Sequence, residues 1–171
     1  MTASNTDTLN VAIRHSPAFA VARLTLAPGQ RVRAASGALY MRDAAITVEA
    51  KMEGGFKSAF KRALGGQSFF TSTFVGDPSR ETWVDLTHVL PGDVTSIPVS
   101  AEKGLVLTQG NWLASTADIQ LDIQWGGFKS MLGGDRLIAV HLAGQGEALV
   151  CSYGALDTFE LNGRAFVLAG G

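Results

Sequence analysis

The chain has 171 residues, with one cysteine, three histidines, five prolines and no surplus of either charge. A single cysteine excludes a disulfide framework, and the three histidines are too scattered to give a Cys/His ligand spacing. That scarcity favours a reducing compartment. Fourteen basic against fifteen acidic residues leave a formal charge of -1, whereas a general nucleic-acid binder carries a basic excess. No run reaches the roughly 20 apolar residues of a spanning helix. MTASNTDTLN lacks the apolar stretch of a secretion signal. These absences predict a cytoplasmic protein that does not bind nucleic acid. Hydrophobic residues make up 46% of the chain and charged residues 17%, a balance that excludes disorder and allows one domain with a real core. Twenty glycines supply the tight turns of an all-β domain.

One patterned stretch occurs twice. Ile46, Val48, Ala50 and Met52 alternate with polar residues in ITVEAKMEGGFKS. Ile119, Leu121, Ile123 and Trp125 do the same in IQLDIQWGGFKS. A period of two marks a half-buried β-strand. Both strands run into Gly-Gly-Phe-Lys-Ser and then reach Leu-Gly-Gly, at Leu64 and Leu132. SGALYMRDAAI and QGNWLASTADI align upstream without a gap, with Gly37 to Gly110 and Ile46 to Ile119 both 73 residues apart. The pattern predicts an internal duplication over about 37–76 and 110–147, built on hairpins that must stack or close together to be stable. A third opening is expected from about Asn162, cut short at Gly171, leaving an unpaired edge near Phe166 to Gly171. Residues 1–10 read as a flexible lead and 11–171 as one β domain. Strands are further expected at Phe19–Leu26, Gln30–Ala35, SFFTSTFVG and TWVDLTHVL, and within GLVLTQGNWLAST, RLIAVHLAGQGEALVCSYG and TFELNGRAFVLA. The resulting fold class is an all-β barrel or sandwich of repeated hairpin units with one short helix.

That helix is predicted within GGFKSAFKRALGG. Phe56, Ala59, Phe60, Ala63 and Leu64 share a face there, and Lys57, Lys61 and Arg62 lie elsewhere on its surface. A basic amphipathic segment can meet an anionic membrane or an acidic partner. Three charges at roughly 1 kcal/mol each are marginal in one chain and gain from avidity in several. The bland alternative is a solvated face over a packed one. The glycine pairs Gly54, Gly55, Gly65, Gly66, Gly126, Gly127, Gly133 and Gly134 do not match the G-x-x-x-x-G-K-[ST] phosphate loop. They read as structural positions where a strand leaves the sheet and returns.

Single residues carry little chemistry. His88 and His141 lie in strand-like runs, where a structural histidine is the expected case. Asp85 precedes His88 by three residues, yet no G-x-S-x-G elbow completes a triad. Asp118, Asp122 and Asp135 match no calcium loop. Cys151 in EALVCSYG reads as a buried thiol. Trp83, Trp112 and Trp125 read as core or interface residues, since no basic stripe accompanies them. No catalytic residue, metal or cofactor is predicted.

PGQRVRAASGALYMRD, GGFKSAFKRALGGQSFF, LTQGNWLAST and LAGQGEALVCSYG, in that order, resemble the altered-inheritance-of-mitochondria (AIM twenty-four) family over roughly Phe19 to Gly171. The resemblance implies an assembly of repeated β-hairpin units related to the tryptophan RNA-binding attenuation protein-like fold, and a homotrimer. It carries over no catalytic residues. The leading expectation is a non-enzymatic, self-assembling β scaffold. The alternatives are a membrane-surface adaptor working through residues 56–64, and an enzyme or small-molecule carrier with a pocket between the repeats.

Overall fold

The computed structural model describes residues 8–52, 70–108, 110–124 and 139–160. Among these there are thirteen strands and no helix. In chain order they are β1 (Asn10–Arg14), β2 (Val21–Leu26), β3 (Arg31–Ala35), β4 (Leu39–Arg42), β5 (Thr47–Met52), β6 (Phe70–Val75) and β7 (Thr82–Thr87). They continue as β8 (Val94–Val99), β9 (Leu105–Thr108), β10 (Trp112–Thr116), β11 (Gln120–Gln124), β12 (Ala139–Ala143) and β13 (Gly146–Cys151).

The strands form three antiparallel sheets, ordered β1-β2-β7-β4, β5-β6-β3-β10-β13-β8 and β11-β12-β9. Alternation decides which face each strand buries. In β2, Ala22, Leu24 and Leu26 are fully buried between the partly exposed Val21, Arg23 and Thr25. Together with Val84 and Leu86 of β7 they pack on Val32, Ala34, Phe74, Leu113 and Leu149 of the six-stranded sheet. A second cluster joins Val140 and Leu142 of β12 to Trp112, Val99 and Ala148. Ala148 lies in one cluster and its neighbours Leu149 and Cys151 in the other, so β13 is covered from both sides. The middle sheet is thus the shared layer of a sandwich-like arrangement. Each described sheet ends in outer strands, so none closes into a barrel. Of the expected pair, barrel or sandwich, the sandwich is what the described strands form.

The pairing scheme runs through the chain twice. Strand β7 lies between β2 and β4, and β6 lies between β3 and β5. Strand β13 lies between β8 and β10, and β12 lies between β9 and β11. The turns follow suit. Ala38 N donates to Ala35 O and Asn111 N to Thr108 O, each at 3.1 Å. Ile46 N donates to Asp43 O at 3.2 Å and Ile119 N to Thr116 O at 3.4 Å. Gly37 and Gly110 both have positive φ, 84° and 97°, the conformation that each hairpin turn requires of a residue without Cβ. The sets of strands meet where β3 pairs with β10, Ala34 opposite Ala114 and Arg33 opposite Ser115. Arg33 reinforces the junction by donating Nη2 to the Ile119 carbonyl. Residues Phe19, Gly92 and Gly154 are joined in turn by parallel bridges.

Several sequence expectations differ from this. Strand β1 begins at Asn10, the last residue of the expected lead, and β8 falls in VTSIPV, where the sequence reading expects no strand. Pro98 is tolerated since β8 is an outer strand. In TFELNGRAFVLA the described residues 158–160 are not strand, and the rest of the run lies outside the described residues. Ile46 and Ile119 are buried as the alternation predicts, but Val48, on the outer strand β5, is 40% exposed. The edge expected near Phe166 to Gly171, and the helix expected at Phe56–Leu64, lie outside the described residues.

Candidate functional site

The densest polar arrangement lies on the outer face of the four-stranded sheet. In β7, Val84 and Leu86 point into the core, so Asp85 between them points the other way. It is nevertheless 0% exposed. The register places Arg23 of β2 directly opposite it, and β1 brings Arg14 alongside β2. Arg23 donates Nε to Asp85 Oδ1 at 2.7 Å and Nη2 to Oδ2 at 2.9 Å. Arg14 donates Nη2 to the same Oδ2 at 2.8 Å. The Arg23 guanidinium also lies over the Trp83 ring, 4.1 Å from its centroid. Burial by itself would push the Asp85 carboxyl up. The hydrogen bonds from Arg23 and then Arg14, with their charges, outweigh it and hold the group below the usual carboxylate range. The Asp85 hydrogen bond in turn raises Arg23.

Beside this cluster is a recess of about 340 Å³ lined by Arg23, Thr25, Asp43, Arg80, Glu81, Thr82 and Trp83. Arg80 grips Asp43 in fork geometry, Nη1 to Oδ2 at 2.9 Å and Nη2 to Oδ1 at 2.8 Å. That bond, followed by one from the Ala45 backbone N–H, lowers the Asp43 pKa. Chemically, the recess offers a polar wall in which both guanidiniums are already engaged by carboxylates. A carboxylate held ionised in this way is a poor general acid at neutral pH. The arrangement ties β1, β2 and β7 into one sheet.

Other candidates resolve individually. The Asp85 carboxylate serves two arginines, which removes it as the orienting acid for His88. His141 is half-buried in β12. Cys151 is buried, with Sγ 3.3 Å from the Gly110 carbonyl oxygen, and burial pushes its thiol up to about 12. Trp112 is core, as the sequence predicts, whereas Trp83 is a half-buried platform under Arg23. Among the described residues no three His, Cys, Asp or Glu side chains are grouped as metal ligands. No helix among them is long and apolar enough to cross a membrane.

The contact residues expected from sequence, Phe56, Lys57, Phe60, Lys61 and Arg62, lie outside the described residues. So do the four glycine pairs, Gly54-Gly55, Gly65-Gly66, Gly126-Gly127 and Gly133-Gly134. Sequence reasoning missed the Arg14–Asp85–Arg23 cluster. Its one local signal is an acidic residue flanked by valine and leucine in TWVDL, and its partners are 62 and 71 residues away.

The family model for mitochondrial biogenesis AIM24 matches residues 11–171. The chain belongs to the AIM24 family. Its fold is also similar to a crystal structure of protein SPYM3_0169 from Streptococcus pyogenes, a structural genomics target. The TM-score is 0.65 at 22% identity, over 86% of this chain and 66% of that one. At that identity the likeness speaks for the fold alone. The chain spans just under two thirds of that relative's length. A comparison with curated proteins finds no match.

Proposed function

We propose that this AIM24 chain is a non-enzymatic, self-assembling β scaffold that works by association between copies, as a homotrimer. One observation carries the reading. Three loops at one end of the sandwich are tied together by backbone hydrogen bonds, Ala20 N to Gly92 O at 2.9 Å and Gly154 N to Pro91 O at 3.1 Å. These loops carry Phe19, Val89, Leu90 and Tyr153, every one of them exposed. Large apolar side chains gathered at one end of a folded domain mark a contact surface. A net charge of -1 puts little repulsion in the way of copies meeting there. Trimer, rather than the commoner dimer, follows the resemblance to the family.

The enzyme or carrier reading has less support. The described recess lies within the first set of strands, where Arg80 is paired with Asp43 and Arg23 with Asp85. Light scattering of the purified chain at micromolar concentration tests the scaffold. A trimer is expected, and Phe19→Ser with Tyr153→Ser weakens it. A monomer at that concentration overturns the reading.

A further inference from the structure

The two sets of strands share a pairing scheme but differ in what covers them. Strand β10 stands in the second set where β4 stands in the first, 73 residues earlier by the spacing of Gly37 and Gly110. Trp112, Leu113 and Ala114 of β10 are 2%, 2% and 0% exposed. Their counterparts Leu39, Tyr40 and Met41 of β4 are 41%, 62% and 47% exposed. The residue types are similarly apolar, so the sequence does not account for the difference. The neighbour does. Strand β10 has β13 on one side and β3 on the other, whereas β4 has β7 and is the outer strand of its sheet.

The same comparison holds for the other half of the joint. Strand β9 stands where β3 stands in the first set. Val32 and Ala34 of β3 are fully buried, while their counterparts Leu105 and Leu107 are half-buried and Val106 is exposed. Strand β9 is an outer strand too. Among the described residues the β3–β10 joint is made once, and each half of it is presented again, β9 as the β3-like half and β4 as the β10-like half. Outer strands with apolar side chains and open backbone groups recruit further strands.

We propose that β9 of one copy pairs antiparallel with β4 of a second copy, repeating the β3–β10 joint between chains. This deepens the scaffold reading and rests on it. The register follows from the existing joint. Ala34 opposite Ala114 becomes Leu107 opposite Met41, and Arg33 opposite Ser115 becomes Val106 opposite Arg42. The contact is head-to-tail, since one copy offers β9 and the next offers β4. Head-to-tail contacts close into rings when the rotation allows, which is the interface class a cyclic trimer needs. A two-fold axis passing through a single strand pair would bring β4 against β4 or β9 against β9, and neither repeats the joint.

Disulfide trapping tests this on the full chain. Met41→Cys and Leu107→Cys proteins are prepared separately, mixed, oxidised mildly and run on a non-reducing gel. Both positions are at least partly exposed, so the variants fold. The mixture yields a linked dimer. Neither protein alone does, and Met41→Cys mixed with Leu105→Cys, two residues out of register, loses most of the band. Light scattering on the same samples separates the two levels. An oligomer without the in-register link overturns the β9–β4 joint and leaves the scaffold standing. An oligomer linked equally in all mixtures overturns it as well. A monomer without links overturns both.

Discussion

Arg23 grips both oxygens of Asp85, at 2.7 and 2.9 Å, across the β2–β7 pair. The carboxylate they share with Arg14 is wholly buried, while the arginines are about a third to two fifths exposed. Such a cluster is more costly to break than it is worth to possess. Removing the acid leaves two cations against a desolvated site, whereas the intact group only offsets its own desolvation.

Asp85→Asn therefore lowers the melting temperature by several degrees, and Arg23→Gln lowers it less, because Arg14 still neutralises the acid. Thermal melts followed by circular dichroism check the order. Equal melting points for wild type and Asp85→Asn would contradict it.

The pH dependence has a definite sign. The folded-state pKa of Asp85 is depressed, as are those of Asp43 and Asp77. For Asp77 the hydroxyl and then the N–H of Ser79 supply the lowering hydrogen bonds. A depressed carboxylate contributes stability that is present above its unfolded pKa of about 3.9 and is lost as pH falls through the folded value. Stability should thus be level from pH 5 to 7 with respect to these groups and fall below about pH 4. In Asp85→Asn the fall below pH 4 is shallower.

Core and rim substitutions separate in size. Leu149 is fully buried in the shared layer, and Leu149→Ala should cost about 2–5 kcal/mol. Val89 is exposed, and Val89→Ala should stay within about 0.5 kcal/mol. Urea titration measures both. A large loss at Val89 in dilute protein would mean that its surface is already covered within one chain.

Two glycines differ in why they are needed. Gly37 has φ 84° with open space around it, so Gly37→Ala should cost about 1 kcal/mol of backbone strain. A Cβ at Gly92 would sit 1.7 Å from the Ser152 carbonyl oxygen, at the crossing that joins Phe19 to Gly154. Gly92→Ala must part backbones there, and should lower the melting temperature well beyond Gly37→Ala.

Cys151 should be silent in the native protein. With its thiol pushed up to about 12 and its side chain buried, a thiol-specific dye reacts only as fast as the chain opens. Full reaction within seconds under native conditions would contradict this placement.

The sequence by itself determined the class of structure and much of its grammar. Period-two alternation marked the strands that became β5 and β11, and apolar runs bounded by turn residues marked those that became β2, β7 and β13. The alignment of Gly37 with Gly110 was legible as well, and the structure gives both a positive φ. Only the tertiary structure decided which apolar strands are covered. Leu39-Tyr40-Met41 and Trp112-Leu113-Ala114 read alike, and the presence of β3 beside one of them makes the difference. Nor could the sequence show that Asp85 faces two arginines rather than His88, since pairing across 62 and 71 residues is set by strand order and register. Local patterns record which face of a strand is wet on average, whereas a site is made by which strands become neighbours.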